Sequence, residues 1–256
     1  MRDWPTFLSA MVLALVRVSG VVTFAPFFSS DTFPMRVKAG FALAVAFLLA
    51  PLVASLPGTQ VNLGLPALMG ELAVGLIYGL SLALLNEMLL FAGQIAGMQF
   101  SFSLVNLLDP NSPVQTPLLG TLFTLMGTLV LIAAGLDRVL LASLIRSFHA
   151  VPLGSFVLLR ESGYALVTAA SGVFLAALEL AAPVLAATML VELSIGLMGK
   201  LSPQLPVMSL TVPLKTLTGF VILLGSLALW PRFIQARFDG LLDLAQQLLV
   251  AHARGG

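Results

Sequence analysis

Six charged residues stand inside long apolar stretches of this sequence: Arg17, Glu71, Glu87, Glu179, Glu192 and Lys215. A charge at the centre of a bilayer costs about 2.5–3.5 kcal/mol even on a lenient insertion scale, so such residues turn away from lipid. Two kinds of chemistry would use them. One is an ion or proton relay. The other is polar contact within a bundle or with a partner subunit, with some side chains reaching the interface along their flexible stems, as Glu87 and Lys215 are placed to do. Carriers cluster their charges. Here the charges are spread over four stretches, which favours packing and assembly contacts over conduction.

Little else in the chain offers chemistry. The absence of cysteine removes thiol nucleophiles, disulfides and thiolate metal sites. His149 and His252 are far apart and make a poor start for a metal site. There is no Gly-rich phosphate loop, no HExxH and no GxSxG, and no close carboxylate pair suited to acid–base work. The sequence therefore predicts no enzyme, no cofactor and no metal. With a net charge of +1, no basic field points to nucleic acid.

A second pattern concerns packing. Glu71, Gly75 and Gly79 recur at every fourth residue and share one helix face. Gly93 and Gly97 follow eighteen residues after Gly75 and Gly79, which is five full helical turns. A continuous helix therefore aligns all four glycines in a stripe where another backbone can approach closely.

The elements that must position these residues are apolar helices. Hydrophobic residues make up 59% of the 256 positions and charged residues only 9%, against about 25% charged in a typical soluble domain. Lipid is the solvent such a composition fits. Six apolar stretches stand out, roughly 4–28, 39–56, 65–91, 118–136, 164–199 and 212–230. The reading is an all-α integral membrane protein of helical hairpins, a single domain over residues 1–256, with the first stretch kept rather than cleaved as a signal. Residues 164–199 exceed one straight span and contain Pro183, predicting a kink or a hairpin there. Ser29–Lys38 and Pro57–Gly64 read as turns, and Asp137–Gly163 as the longest polar connection.

One connection is unusual. From Met98 to Leu104 apolar and polar residues alternate, and Asp109-Pro110 follows. Burying Phe100, Phe102 and Leu104 is worth about 1.5–3 kcal/mol each, so this segment needs cover. It is either a helix end folded on its own bundle or a hydrophobic constriction of a pore.

Taken in order, the short motifs resemble one family over nearly the whole chain. They are Arg17-Val18-Ser19-Gly20, Ala25-Pro26-Phe27-Phe28 and Pro34-Met35-Arg36-Val37-Lys38; Glu71 with Gly75 and Gly79; Gly93-Gln94-Ile95-Ala96-Gly97-Met98-Gln99; Asp109-Pro110 with Pro117-Leu118-Leu119; Ser147 to Gly154; Ala182-Pro183-Val184; and Ser202-Pro203-Gln204-Leu205. The chain is similar to the FliR family of type III export-gate proteins, flagellar and virulence-associated. It departs from the family pattern at Ser101, at Gly135-Leu136-Asp137, at Lys200 and at Pro206. The resemblance implies a subunit of a helical export gate in the bacterial inner membrane, at the flagellar basal body. It implies partners of the FliP, FliQ, FlhA and FlhB types, and unfolded export substrates. It also implies that the loop from Phe100 to Pro117, with Phe102, Leu104, Leu107, Leu108, Asp109 and Pro110, plugs the closed gate. Two rivals stand beside it: the same role in a virulence injectisome, and an independent ion or solute transporter.

Overall fold

The computed structural model describes residues 4–25, 34–100, 118–156, 160–202, 204 and 207–254. Among them the secondary structure is helical throughout: α1 (Trp4–Phe24), α2 (Met35–Val53), α3 (Leu65–Gln99), α4 (Leu118–Ala133), α5 (Leu136–Ala150), α6 (Arg160–Leu201), α7 (Val207–Ser226), a 3-10 turn at Leu227–Leu229 and α8 (Trp230–Arg254). Five helical segments are long and apolar enough to cross a membrane: α1, α2, α3, residues Ala170–Leu201 of α6, and Ser209–Leu249 across α7 and α8. The pair α4 and α5 makes a sixth if counted as one broken span, bent by 73°. The bend falls at Gly135, whose φ of 70° is left-handed and suits a residue with no Cβ.

The helices form for different local reasons. α1 and α2 pack together, and small or apolar residues recur at helical spacing among their buried positions: Ala10, Leu13, Ala14, Val18 and Val21 on one, Ala42, Ala46 and Ala50 on the other. Phe7 meets Phe47 edge-on at 5.6 Å. α5 is amphipathic, burying Leu136, Leu140, Ser143, Leu144, Ser147 and Phe148. α8 buries Trp230, Ile234, Phe238, Leu242, Ala245 and Leu249 while Arg232, Asp239 and Asp243 stay exposed. That is the three-and-four spacing of a helix with one covered side.

The chain divides into two compact units. Unit 1 holds Met1–Leu85, Gly135–Ser171 and Ala236–Gly256; unit 2 holds Asn86–Ala134 and Gly172–Gln235. In unit 1 the glycine stripe of α3 lies on α1. A Cβ added at Gly75 would stand 2.5 Å from the Arg17 carbonyl oxygen, one at Gly79 2.6 Å from that of Gly20, and one at Gly20 2.8 Å from the Gly75 carbonyl carbon. In unit 2 the stripe continues onto α4. Gly93 faces the backbone of Leu119 and Gly120, and Gly97 the Leu119 side chain at 3.8 Å. The partner helices of the stripe thus belong to this chain.

Three sequence expectations are corrected. Residues 160–201 form one helix that runs through Pro183, which excludes the hairpin of the two alternatives, kink or hairpin. Proline forfeits a single backbone bond, and neighbouring helices compensate for that in an apolar bundle. Arg36 and Lys38, read as part of a turn, lie in the first turn of α2. Much of the polar connection after Asp137 is the helix α5, because its leucines recur at helical spacing among polar residues.

Large apolar side chains remain open on both units, among them Phe47, Leu48 and Met69 on unit 1 and Phe174, Leu193 and Leu217 on unit 2. Soluble monomers rarely leave contiguous apolar surface of this kind.

Candidate functional site

In unit 1 the sequence places an arginine and a glutamate on two helices brought into backbone contact by glycines, and they pair. Arg17 Nε donates to Glu71 Oε2 at 2.6 Å and Nη2 to Glu71 Oε1 at 3.1 Å, and both side chains are fully buried. The remaining guanidinium hydrogens reach the turn after α5. Nη1 and Nη2 each donate to the Val151 carbonyl at 3.0 Å, and Nη1 approaches Ser147 Oγ at 3.4 Å. The Phe148 ring lies 4.3 Å from the guanidinium carbon, within cation–π range. All five guanidinium donors are engaged.

Glu71 is equally committed. Its Oε1 also accepts the amide hydrogen of Gly154 at 2.9 Å. Gly154 has φ of 74°, and a Cβ there would collide with the Gln60 carbonyl oxygen. The Gln60 amide in turn donates to the Leu153 carbonyl at 2.8 Å. Residues 151–156 are therefore non-helical backbone inside an apolar fold, with Val151, Leu153 and Phe156 buried. Such backbone survives at membrane depth only where its polar groups are answered by protein. The ion pair supplies that answer on both sides, as donor to Val151 and acceptor from Gly154.

The second ion pair lies in unit 2, where Lys215 of α7 binds Glu192 of α6. Lys215 is buried, with 7% of its side chain exposed, and Glu192 is 51% exposed. Glu87 and Glu179 lie on exposed positions. The sequence thus had Lys215 reaching an interface, and the structure has it inward on a carboxylate.

Beside that pair lies the end of α3. The buried Phe100 ring covers Gly219 of α7 so closely that a Cβ there would stand 2.7 Å from Cδ1. The ring also meets Phe220 at 4.9 Å. Thr216 Oγ1 reaches the Phe100 carbonyl at 3.3 Å, and Thr188 Oγ1 of α6 reaches Gln99 Oε1 at 3.3 Å. Both hydroxyls also point at their own helices, at 2.9 and 2.8 Å. A shared long hydrogen bond is worth less than the usual ~1 kcal/mol, and the close fit of the ring over a residue without a side chain adds van der Waals packing to this junction. At Gly93 and Gly97 the same helix receives the start of α4, so residues on either side of 101–117 lie near the last turns of α3. Phe102, Leu104, Leu107, Leu108, Asp109 and Pro110 lie outside the described residues.

Gly154, Ser147, Thr188, Thr216 and Gly219 were not singled out as site residues from the sequence. Gly154 carried a signal, since Pro152-Leu153-Gly154 punctuates the chain after an amphipathic helix. Gly219 carried none, because a lone glycine in an apolar helix is common. Among the described residues no group of three or more His, Asp or Glu side chains is placed to hold a metal.

These features define a class: a helical, multi-span membrane protein whose buried charges Arg17, Glu71 and Lys215 are held in ion pairs. The family described as bacterial export proteins, family 1, matches residues 8–241, and the chain belongs to it. Among curated proteins it is similar to the flagellar biosynthetic protein FliR of Escherichia coli K12, 26% identical over 97% of this chain and 95% of that protein. It is likewise similar to the proteins of the same description from Caulobacter vibrioides, 28% identical over 95% and 99%, and from Bacillus subtilis, 28% identical over 84% and 85%.

Proposed function

We propose that this chain is a structural and gating subunit of the flagellar type III export gate in the bacterial inner membrane, needed for passage of flagellar subunits. The observation that carries this reading is the family match over residues 8–241, joined by relatives of flagellar description that align over at least 95% of both chains. Its partners would be gate subunits of the FliP and FliQ types and export components of the FlhA and FlhB types. The open apolar faces on each unit support burial against other helices and lipid.

The work of the site is mechanical rather than catalytic. The Arg17–Glu71 pair has every donor and the facing oxygens in use within unit 1, so it supports an anchor for the 151–156 turn rather than a step in a proton path. That weighs against an independent transporter. The flagellar descriptions of the relatives favour the flagellar system over an injectisome. In this reading the connection 101–117, hung from the end of α3 and the start of α4, is the plug, and its apolar side chains close the channel.

The test is complementation joined to purification. In a strain whose own homologous gene is deleted, this gene should restore filament export, and the tagged chain should co-purify with FliP-like and FliQ-like proteins. A stable solitary protein that transports ions in empty vesicles would refute the assignment.

A further inference from the structure

We infer that unit 1 carries a site for one phospholipid, with an acyl chain in the cleft between α1, α2 and α5 and the phosphate held by Lys38 and Arg138.

The cleft lies wholly within unit 1. Val21 and Val22 of α1, Phe41 and Val45 of α2, and Leu141 and Leu144 of α5 line it, and every other lining side chain is apolar as well. Water finds no hydrogen bond in such a space, whereas hydrocarbon fits it. Phe41 and Val45 are half-buried and Leu141 is exposed, so the cleft opens on the surface of the unit. α1 and α2 are each long and apolar enough to cross a membrane, which puts lipid chains against that surface.

The three helices bring cations to one end of the cleft. α2 runs antiparallel to α1, with Phe47 beside Phe7 and Phe41 near the later turns of α1. α5 also runs against α1, since Ser147 near its end meets Arg17 while Leu141 near its start lies by Val22. The first turns of α2 and α5 therefore share the Ala25 end of the cleft. Lys38 stands three residues before Phe41 and seven before Val45, on one helix stripe, and Arg138 stands three before Leu141. Helix side chains lean toward the N-terminus, which carries both cations past the end of the apolar lining. Lys38 is half-buried and Arg138 exposed, and among the described residues neither makes an ion pair. Asp137 shares this rim, four residues before Leu141, leaving a surplus of one positive charge. Arg36 lies two residues from Lys38, on the opposite side of α2. An apolar slot ending in a lysine and an arginine complements a lipid chain ending in a phosphate.

Native mass spectrometry tests this on the full chain, purified in mild detergent with the partners it retains. It is titrated with phosphatidylglycerol or with diacylglycerol of the same chains. One phosphatidylglycerol should bind severalfold more tightly than the diacylglycerol. The double variant Lys38→Gln, Arg138→Gln should abolish that preference, Asp137→Asn should increase it, and Arg36→Gln should leave it unchanged. Glycerol 3-phosphate, which has the phosphate without the chains, should not compete. Val45→Phe narrows the cleft and should weaken both lipids severalfold; if that variant does not fold, the charge variants decide. Equal binding of the two lipids by the wild type would overturn the site. So would a preference that survives loss of both cations, or one that falls as far with Arg36→Gln. A wild-type chain that binds no lipid would also overturn it, leaving the cleft to residues 26–33 of this chain or to a partner helix.

Discussion

The carboxylate of Glu71 accepts the amide hydrogen of Gly154, 83 residues away, at 2.9 Å, and the same carboxylate is held by Arg17. A helix glutamate thereby becomes part of a turn's backbone hydrogen bonding. The arrangement explains why a full ion pair sits inside an apolar bundle. The pair replaces the water that a non-helical segment would otherwise require.

Removing one partner should be costly. Glu71→Ala leaves a buried guanidinium without its counter-charge and an amide without its acceptor. Loss of one partner of a buried pair costs about 3–5 kcal/mol. Glu71→Gln keeps an acceptor for Gly154 and should fall between wild type and Glu71→Ala. Because the pair also serves Val151 and Gly154, the apolar double variant Arg17→Met, Glu71→Leu should recover only part of the loss. Thermal unfolding of the purified complex ranks the four proteins; full recovery in the double variant would contradict the backbone role.

Gly154→Ala places a methyl group against the Gln60 carbonyl at a left-handed φ of 74°. The conformation alone costs about 1–2 kcal/mol for a residue bearing a Cβ. A lowered melting temperature is expected, larger than that of Gly196→Ala, where a Cβ meets nothing within 4 Å. Equal shifts for the two alanines would count against the geometry.

Gly75→Leu and Gly79→Leu should prise α3 from α1, since even a Cβ stands 2.5–2.6 Å from the opposing carbonyl oxygens. Overpacking of this kind costs about 1–3 kcal/mol or more. Complex yield in detergent is the readout, and an undiminished yield would contradict the packing.

The second ion pair should be asymmetric. Glu192→Ala strands a buried ammonium, whereas Lys215→Ala leaves a carboxylate that is already 51% exposed. Glu192→Ala should therefore lower stability more than Lys215→Ala, by the difference between a buried and a solvated uncompensated charge. The reverse order in thermal unfolding would mean that Glu192 is covered in the assembly.

Shortening the connection by deleting Ser103 to Ser112 should let ions or small solutes through while the complex still forms, because the anchors at Phe100 and Leu119 are untouched. Dye or ion flux in cells carrying the deletion measures this, and an unaltered permeability barrier would argue against a plug.

How much of this was legible beforehand follows from the range of the forces involved. Helix formation in a chain with 59% hydrophobic residues is dictated locally, because unpaired backbone is intolerable in lipid and a helix pairs it within the segment. The glycine stripe of Gly75, Gly79, Gly93 and Gly97 is likewise a matter of spacing along one helix. Of the two outcomes that Pro183 allowed, a kink or a hairpin, the hairpin is excluded because one helix runs through it, and neighbouring helices compensate the lost backbone bond. What the order of residues left open was the partner of each charge. Arg17, Glu71 and Gly154 meet only because α1, α3 and the turn after α5 converge, and Phe100 finds Gly219 across 119 positions by the same means. Electrostatic and packing partners are chosen by distance in space, and distance in space is a property of the folded chain.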